Sequence, residues 1–301
     1  MRRLPILFPL LLGAACGGSA VSAVTPVAFS LPDSMVALDG ATGAPVDAAE
    51  LLRRIAAADM VLLGEVHDNA AQHALRGRLL SAFAARRPAV VFEQFTESDG
   101  PIPTPSDGEP LEPWLARNGF DRAAWKWPLH RPVVEAAIAS GRSLWGSHVS
   151  REALRPVVRG GEPAAPPHLR SLLERAPLDS AARAALDQDL IEGHCGRLPE
   201  TMIVGMRAAQ TVRDAAMAQA LLRARATGPV WLIAGNGHVR RDIAVPRLLR
   251  AAAPTENVLA VGLLERPAGG GMPSQATRGM FDLVIVTPRV ARPDPCASFQ
   301  R

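Results

Sequence analysis

Short runs that are apolar throughout, each leading into a polar cluster or a helical stretch, constrain this chain more than any other feature. Met60–Leu63, Ala89–Phe92, Val230–Ala234, Asn257–Leu264 and Leu283–Val286 show almost no alternation of apolar and polar residues, and helical periodicity fills much of the sequence between them. A strand with one solvated face alternates, whereas a strand covered on both faces is apolar throughout, as in a parallel sheet flanked by helices. The expected fold is therefore α/β, a mainly parallel sheet between helices, with Ser143–Trp145 as a further short strand. At 301 residues and 48% hydrophobic content the chain is long enough to bury such a core.

The N-terminus reads as an export signal. Residues 1–15 combine Arg2 and Arg3 with an apolar stretch from Leu4 to Leu12, too short to span a bilayer as a permanent helix. Leu12-Gly13-Ala14-Ala15-Cys16 fits a permissive lipobox, which makes Cys16 the lipid anchor of the mature chain; ordinary cleavage after Val21-Ser22-Ala23 is the competing reading. Residues 16–46, rich in Pro, Ala, Ser and Gly, read as a tether, and residues 47–301 as one α/β domain with a helical subdomain at about 165–226. Export implies an oxidising compartment, so Cys195 and Cys296 are expected to form a disulfide, the alternative being a thiolate ligand for a metal or haem. The 33 basic residues, two of them in the leader, nearly balance the 29 acidic ones, so charge gives no case for nucleic acid.

Several strands end in acid or imidazole. Val61–Leu63 runs into Gly64-Glu65-Val66-His67-Asp68-Asn69, Ala89–Phe92 into Glu93, and Val230–Ala234 into Gly235-Asn236-Gly237-His238. In open parallel sheets ligands bind beyond the carboxyl ends of the strands, so Glu65, His67, Glu93 and His238 are expected to gather in one pocket. Two imidazoles and two carboxylates suit a divalent transition metal, and the same groups suit metal-free acid–base catalysis. Taken singly, each also has a structural role open to it as a cap or a loop hydrogen-bond partner. Further along, Met202, Met206, Gln210, Arg213, Asp214 and Met217 share a helical stripe. There the methionines suit core packing, with Met217 also a candidate axial haem ligand, and Arg213 could orient Glu65 or Glu93 or hold an anionic group such as a propionate. His130 stands among Trp125, Trp127 and Pro128, where a flat aromatic ligand would find stacking partners and an imidazole for iron; a surface histidine beside structural tryptophans is the alternative.

The stretches LLGEVHDNAAQH, VVFEQF, CGRLPETMIVGMRAAQTVRDAAMA and LIAGNGHVRRDIAVP occur in an order and spacing that resemble the ChaN-like haem-binding uptake lipoproteins of the Tiki and erythromycin-esterase-like superfamily. The resemblance runs from about residue 47 to Cys296 and is specific in combination. It implies haem as ligand, a site built on Glu65, His67, Glu93, Arg213 and His238, and attachment to the outer membrane through an N-terminal lipid, or else a periplasmic location. A homodimer around haem and an outer-membrane haem receptor are partners in keeping with it. One departure bears on the ligand: where the family tends to carry a tyrosine this chain has His130, and it contains no tyrosine at all. His130 is then the first candidate for the iron, with Trp127, Met217 and Arg213 as accompanying residues and His148 and His194 next in line. The competing function is a metal-dependent hydrolase, of peptidase or esterase type, using the Glu/His cluster.

Overall fold

The computed structural model describes residues 29–140, 142–294 and 296–297; the expected signal peptide and Cys16 lie outside the described residues. The chain enters through β1 (Val36–Asp39) and β2 (Pro45–Val46), then α1 (Ala48–Ala57), β3 (Met60–Leu63) and α2 (Ala70–Ala82). Next come β4 (Ala89–Thr96), α3 (Leu111–Arg117), α4 (Arg131–Ala139) and β5 (Leu144–His148). The helical stretch follows as α5 (Arg151–Gly160), α6 (Pro167–Arg175), α7 (Ser180–Gly193) and α8 (Glu200–Arg225). The chain closes with β6 (Val230–Ile233), α9 (Asn236–Val239), α10 (Val245–Ala252), β7 (Val258–Glu265) and β8 (Leu283–Thr287).

The strands form one sheet in the order β2-β1-β8-β7-β3-β6-β4-β5. Every pair from β8 to β5 is parallel, while β1 is antiparallel to β8 and to β2. The mainly parallel sheet expected from the apolar runs is thus present. Strand alternation divides the core in two. Met60 and Leu62 of β3 face a layer that includes α5, α6, α8 and α10, and Val61 and Leu63 face a layer that includes α1, α2, α3 and α4.

Two expectations need correction. Residues 36–46, read as part of the tether, instead form β1 and β2. Ala37 and Leu38 are buried, and the antiparallel pairing of β1 with β8 satisfies its backbone, so a Pro- and Ala-rich composition concealed an edge ribbon. The helical segment at 165–226 is not a separate subdomain either. Val212, Ala216 and Met217 of α8 share a core with Leu62, Val91 and Leu232 of the sheet, so α8 belongs to a covering layer, and Leu169, Leu172 and Leu173 of α6 join the same core.

Side-chain caps set the starts of the helices that matter for the site. Asp47 accepts from the Glu50 N–H at 2.7 Å to open α1, and Asn69 accepts from the Gln72 N–H at 3.2 Å to open α2. The α2–α4 packing depends on Gly77, because a Cβ there would lie 2.6 Å from the carbonyl oxygen of Pro132.

The disulfide is present, Cys195 to Cys296 with Cα atoms 5.6 Å apart across 101 residues of sequence. It fastens the C-terminal segment, from which Arg292 donates to Asp68 at 2.8 Å and to Glu265 at 2.7 Å. Asn69 donates in turn to Glu265 at 2.7 Å and to the Pro288 carbonyl at 3.0 Å. The cross-link therefore braces the loop between β3 and α2. Replacing both cysteines with serine is expected to lower unfolding stability by about 4 kcal/mol, from the closure entropy of a loop this long. Hydrogen exchange should also speed up at the Asp68 and Asn69 amides; unchanged melting and unchanged exchange would contradict the bracing role.

Candidate functional site

Strands β3, β6 and β4 are neighbours, and their carboxyl ends open into a cleft of about 500 Å³. Glu65, His67, Glu93, Arg213 and His238 all line it, together with Gln210 and the backbone of residues 235–237. The β3 hydrogen-bond ladder stops at Leu63, so Glu65 and His67 sit in the following loop rather than on an extended strand. They nonetheless meet: His67 Nδ1 lies 2.6 Å from Glu65 Oε1. Glu93, by contrast, lies inside β4, which runs on to Thr96.

Glu65 is the hub of a buried polar cluster. Its Oε1 accepts from Gln94 Nε2 at 3.2 Å and faces His130 Nε2 at 3.3 Å, and its Oε2 meets the guanidinium of Arg76. Arg76 also donates to His73 Nδ1 at 2.6 Å, while His73 Nε2 lies 3.1 Å from the His67 carbonyl. That arrangement assigns His73 the tautomer with its proton on Nε2. Burial pushes His73 down to about 4, and burial, reinforced by His73 and Arg76, pushes His130 down to about 2, so both imidazoles are neutral. Burial also draws Arg76 down to about 9, which still leaves it charged at neutral pH.

Among the described residues, Glu65, His73 and His130 are the group of three whose donor atoms all lie within 4.8 Å of one another. They do not fit a divalent metal, because the Arg76 guanidinium already contacts both Glu65 and His73. The expected ligand set forms two pairs, Glu65 with His67 and Glu93 with His238, which border a common space over Gly235: a Cβ there would lie 3.0 Å from His67 Nε2 and 3.6 Å from Glu93 Oε2.

The second pair is part of a chain of charge. His238 Nδ1 lies 2.6 Å from Asp214 Oδ1, and its Nε2 lies 3.4 Å from Glu93 Oε1. Glu93 Oε2 also accepts from the Gly235 N–H at 2.7 Å. Burial alone would lower His238, but Glu93 and then Asp214 outweigh it and raise the imidazole to about 10. Burial would raise Glu93, but His238 outweighs it and brings the carboxyl to about 2. His238 is therefore a standing imidazolium held between two carboxylates.

The remaining candidates are scattered. His130 is 1% exposed, beneath the edge of the Trp125 ring and against Glu65, so it is neither a surface histidine nor open to a planar ligand. Met217 is packed in the core, Met202 is exposed, and His194 caps α7 with Nδ1 2.7 Å from the Leu190 carbonyl. Trp127 lies outside the cleft, where its Nε1 donates to Glu112 at 3.2 Å and its ring carries Arg131. The tryptophan in contact with a cleft residue is Trp125 instead, edge-on to His67 at 5.1 Å and to half-buried His148 at 6.2 Å between ring centres.

Sequence reasoning missed His73, Arg76 and Gln94 as site residues. A signal for the first two was present in Gln72-His73-Ala74-Leu75-Arg76: polar residues placed on the buried side of a helix that follows the GEVHDN loop directly. Because the fold raises His238 above the ordinary histidine value, its contribution to stability is complete below about pH 6.5 and is lost as pH rises toward 10. Thermal melting of the wild type should therefore fall more steeply between neutral pH and pH 10 than that of His238→Gln; equal slopes would contradict the paired imidazolium.

No curated protein sequence matches the chain. Its structure is similar to one titled "Cofacial heme binding to ChaN of Campylobacter jejuni", with a TM-score of 0.67 and 17% identity, over 84% of this chain and 96% of that one. At that identity the likeness concerns the fold. The model of a family described as "Haem-binding uptake, Tiki superfamily, ChaN" matches residues 51–249, a span containing every residue of the cleft, and the chain belongs to that family.

Proposed function

We propose that this chain binds haem at the carboxyl edge of its sheet and serves haem or iron uptake or storage as an outer-membrane lipoprotein anchored through Cys16. One observation carries the haem reading. His67 has a side chain 48% exposed at the cleft mouth, its Nδ1 is held by Glu65, and the hydrogen bond leaves Nε2 free beside Trp125. An imidazole fixed through one nitrogen by a carboxylate presents the other as an oriented, electron-rich donor. Bound there, haem supplies an iron that accepts an imidazole nitrogen. His67 takes the part first given to His130, with His148 also edge-on to Trp125 and Arg213 on the cleft wall. The donor chemistry fits the group, since the chain has no tyrosine and His67 is the histidine that combines exposure with an aromatic neighbour in the cleft.

The hydrolytic alternative finds less support. Glu93, brought to about 2, is a weak base, and His238, raised to about 10, is an imidazolium with no lone pair to accept a proton at neutral pH. Glu65 is occupied on both oxygens.

Titration of the whole mature chain with hemin is expected to shift the Soret band, and His67→Ala to weaken binding at least tenfold. In cells fed a palmitate analogue the same protein should carry label that Cys16→Ala removes. An unshifted Soret band would reject the haem reading, and an unlabelled chain would reject the anchor.

A further inference from the structure

A groove runs between the antiparallel helices α5 and α8, beside the cleft. Its floor is Leu154, Val158 and Ala209, and its rim is Arg151, Arg155 and Arg159 on α5 with Arg213 on α8, enclosing about 440 Å³. The three α5 arginines recur every four residues and so lie along one side of that helix. Gly205 permits the close approach, since a Cβ there would lie 2.3 Å from the Val158 carbonyl oxygen.

None of the four arginines has a hydrogen-bonded or ion-paired partner among the described residues. Glu152, the acid on α5, does not pair with them. Elsewhere the arginines of this chain are commonly paired, as with Arg54 to Glu50 and Asp39, Arg207 to Asp187, and Arg225 to Asp59 and Glu256. Arg213 faces the Glu93 and Asp214 carboxylates of the cleft, whereas the three α5 arginines are like charges gathered beside an apolar floor, and a ligand carrying several negative charges relieves their mutual repulsion. Val158 is 46% exposed at the centre of the floor, so the same ligand has apolar surface to cover it.

The groove and the cleft share Arg213, which lines both. From this continuity we infer that the groove is the anion-binding half of a two-part site, taking the carboxylate edge of a flat apolar dicarboxylate whose body reaches into the cleft. Its concavity favours such a molecule over a flat bilayer. The inference rests on the haem reading for the identity of the body, and on the unpaired arginines alone for the charged edge. Guanidinium suits the task because its planar fork matches a carboxylate in bidentate fashion.

Metal-free protoporphyrin keeps both carboxylates and removes the iron, so it probes the groove separately from iron ligation. Its binding to the whole mature chain, followed by fluorescence, should weaken at least tenfold in Arg155→Gln/Arg159→Gln and recover substantially in Arg155→Lys/Arg159→Lys. The dimethyl ester should bind the wild type at least tenfold more weakly than the free acid, and the glutamine variant should no longer distinguish the two. Added salt should weaken the free acid more than the ester. Equal binding of acid and ester, or an unchanged affinity in the glutamine variant, overturns the proposal. So does arginine-dependent co-sedimentation with phosphatidylglycerol vesicles when porphyrin affinity is unaffected, because the rim would then be a lipid contact. The two readings fail separately: an unshifted hemin spectrum with arginine-dependent porphyrin binding removes iron ligation only, and a shifted spectrum indifferent to the arginines removes the groove only.

Discussion

The meeting of Glu65 and Arg76 inside the protein is the constraint on which the site depends. Both side chains have no solvent exposure. Ions withdrawn from water are costly, and a carboxylate and a guanidinium are tolerated there only when each satisfies the other and the remaining lone pairs find donors. Glu65 meets that condition with His67, Gln94 and His130 around Oε1 and Arg76 at Oε2. The same contacts that neutralise the buried charge thereby fix the orientation of His67 at the surface. A structural requirement of the interior is converted into a positioned imidazole at the cleft mouth.

The architecture explains why such a cluster forms here. With β6 between β3 and β4, three polar strand ends fall side by side, and α2 begins directly after the first of them. The close α2–α4 contact at Gly77 then brings His130 down onto Glu65, while Gly235 makes room for the His67 ring. On the opposite side of the cleft the chain Asp214–His238–Glu93 holds a cation by the inverse arrangement, one imidazolium between two carboxylates. The Glu65–Arg76 half is balanced in charge, the Asp214–His238–Glu93 half carries one excess negative charge that Arg213 on the cleft wall faces, and the α5 arginines lie in the groove beyond it.

Much of this was legible in the sequence because strand burial and strand ends leave local marks. Apolar runs without alternation identified β3, β4, β6, β7 and β8, and the acid or histidine after three of them pointed to Glu65, His67, Glu93 and His238, which line one cleft. What escaped depends on contacts between distant segments. Nothing local reveals that β6 inserts between β3 and β4, or that a Pro- and Ala-rich stretch pairs with β8. His130 among tryptophans looks the same in sequence whether its ring faces solvent or a buried carboxylate. Met217 likewise reads as a candidate ligand or as core, and only the packing of α8 on the sheet decides. His73 and Arg76 were hidden by an ordinary expectation, that polar residues on a helix face water.

Haem ligation at this edge requires that His67 be held by Glu65 through Nδ1 with Nε2 open to the cleft. Nitrogen-15 NMR of the imidazoles, with the His67 signals identified by their loss in His67→Gln, reads this directly. The expected spectrum of the unliganded chain has Nδ1 carrying the proton donated to Glu65, with the Nε2 signal perturbed by hemin. A proton on Nε2 instead, or a His67 spectrum indifferent to hemin, would contradict the account.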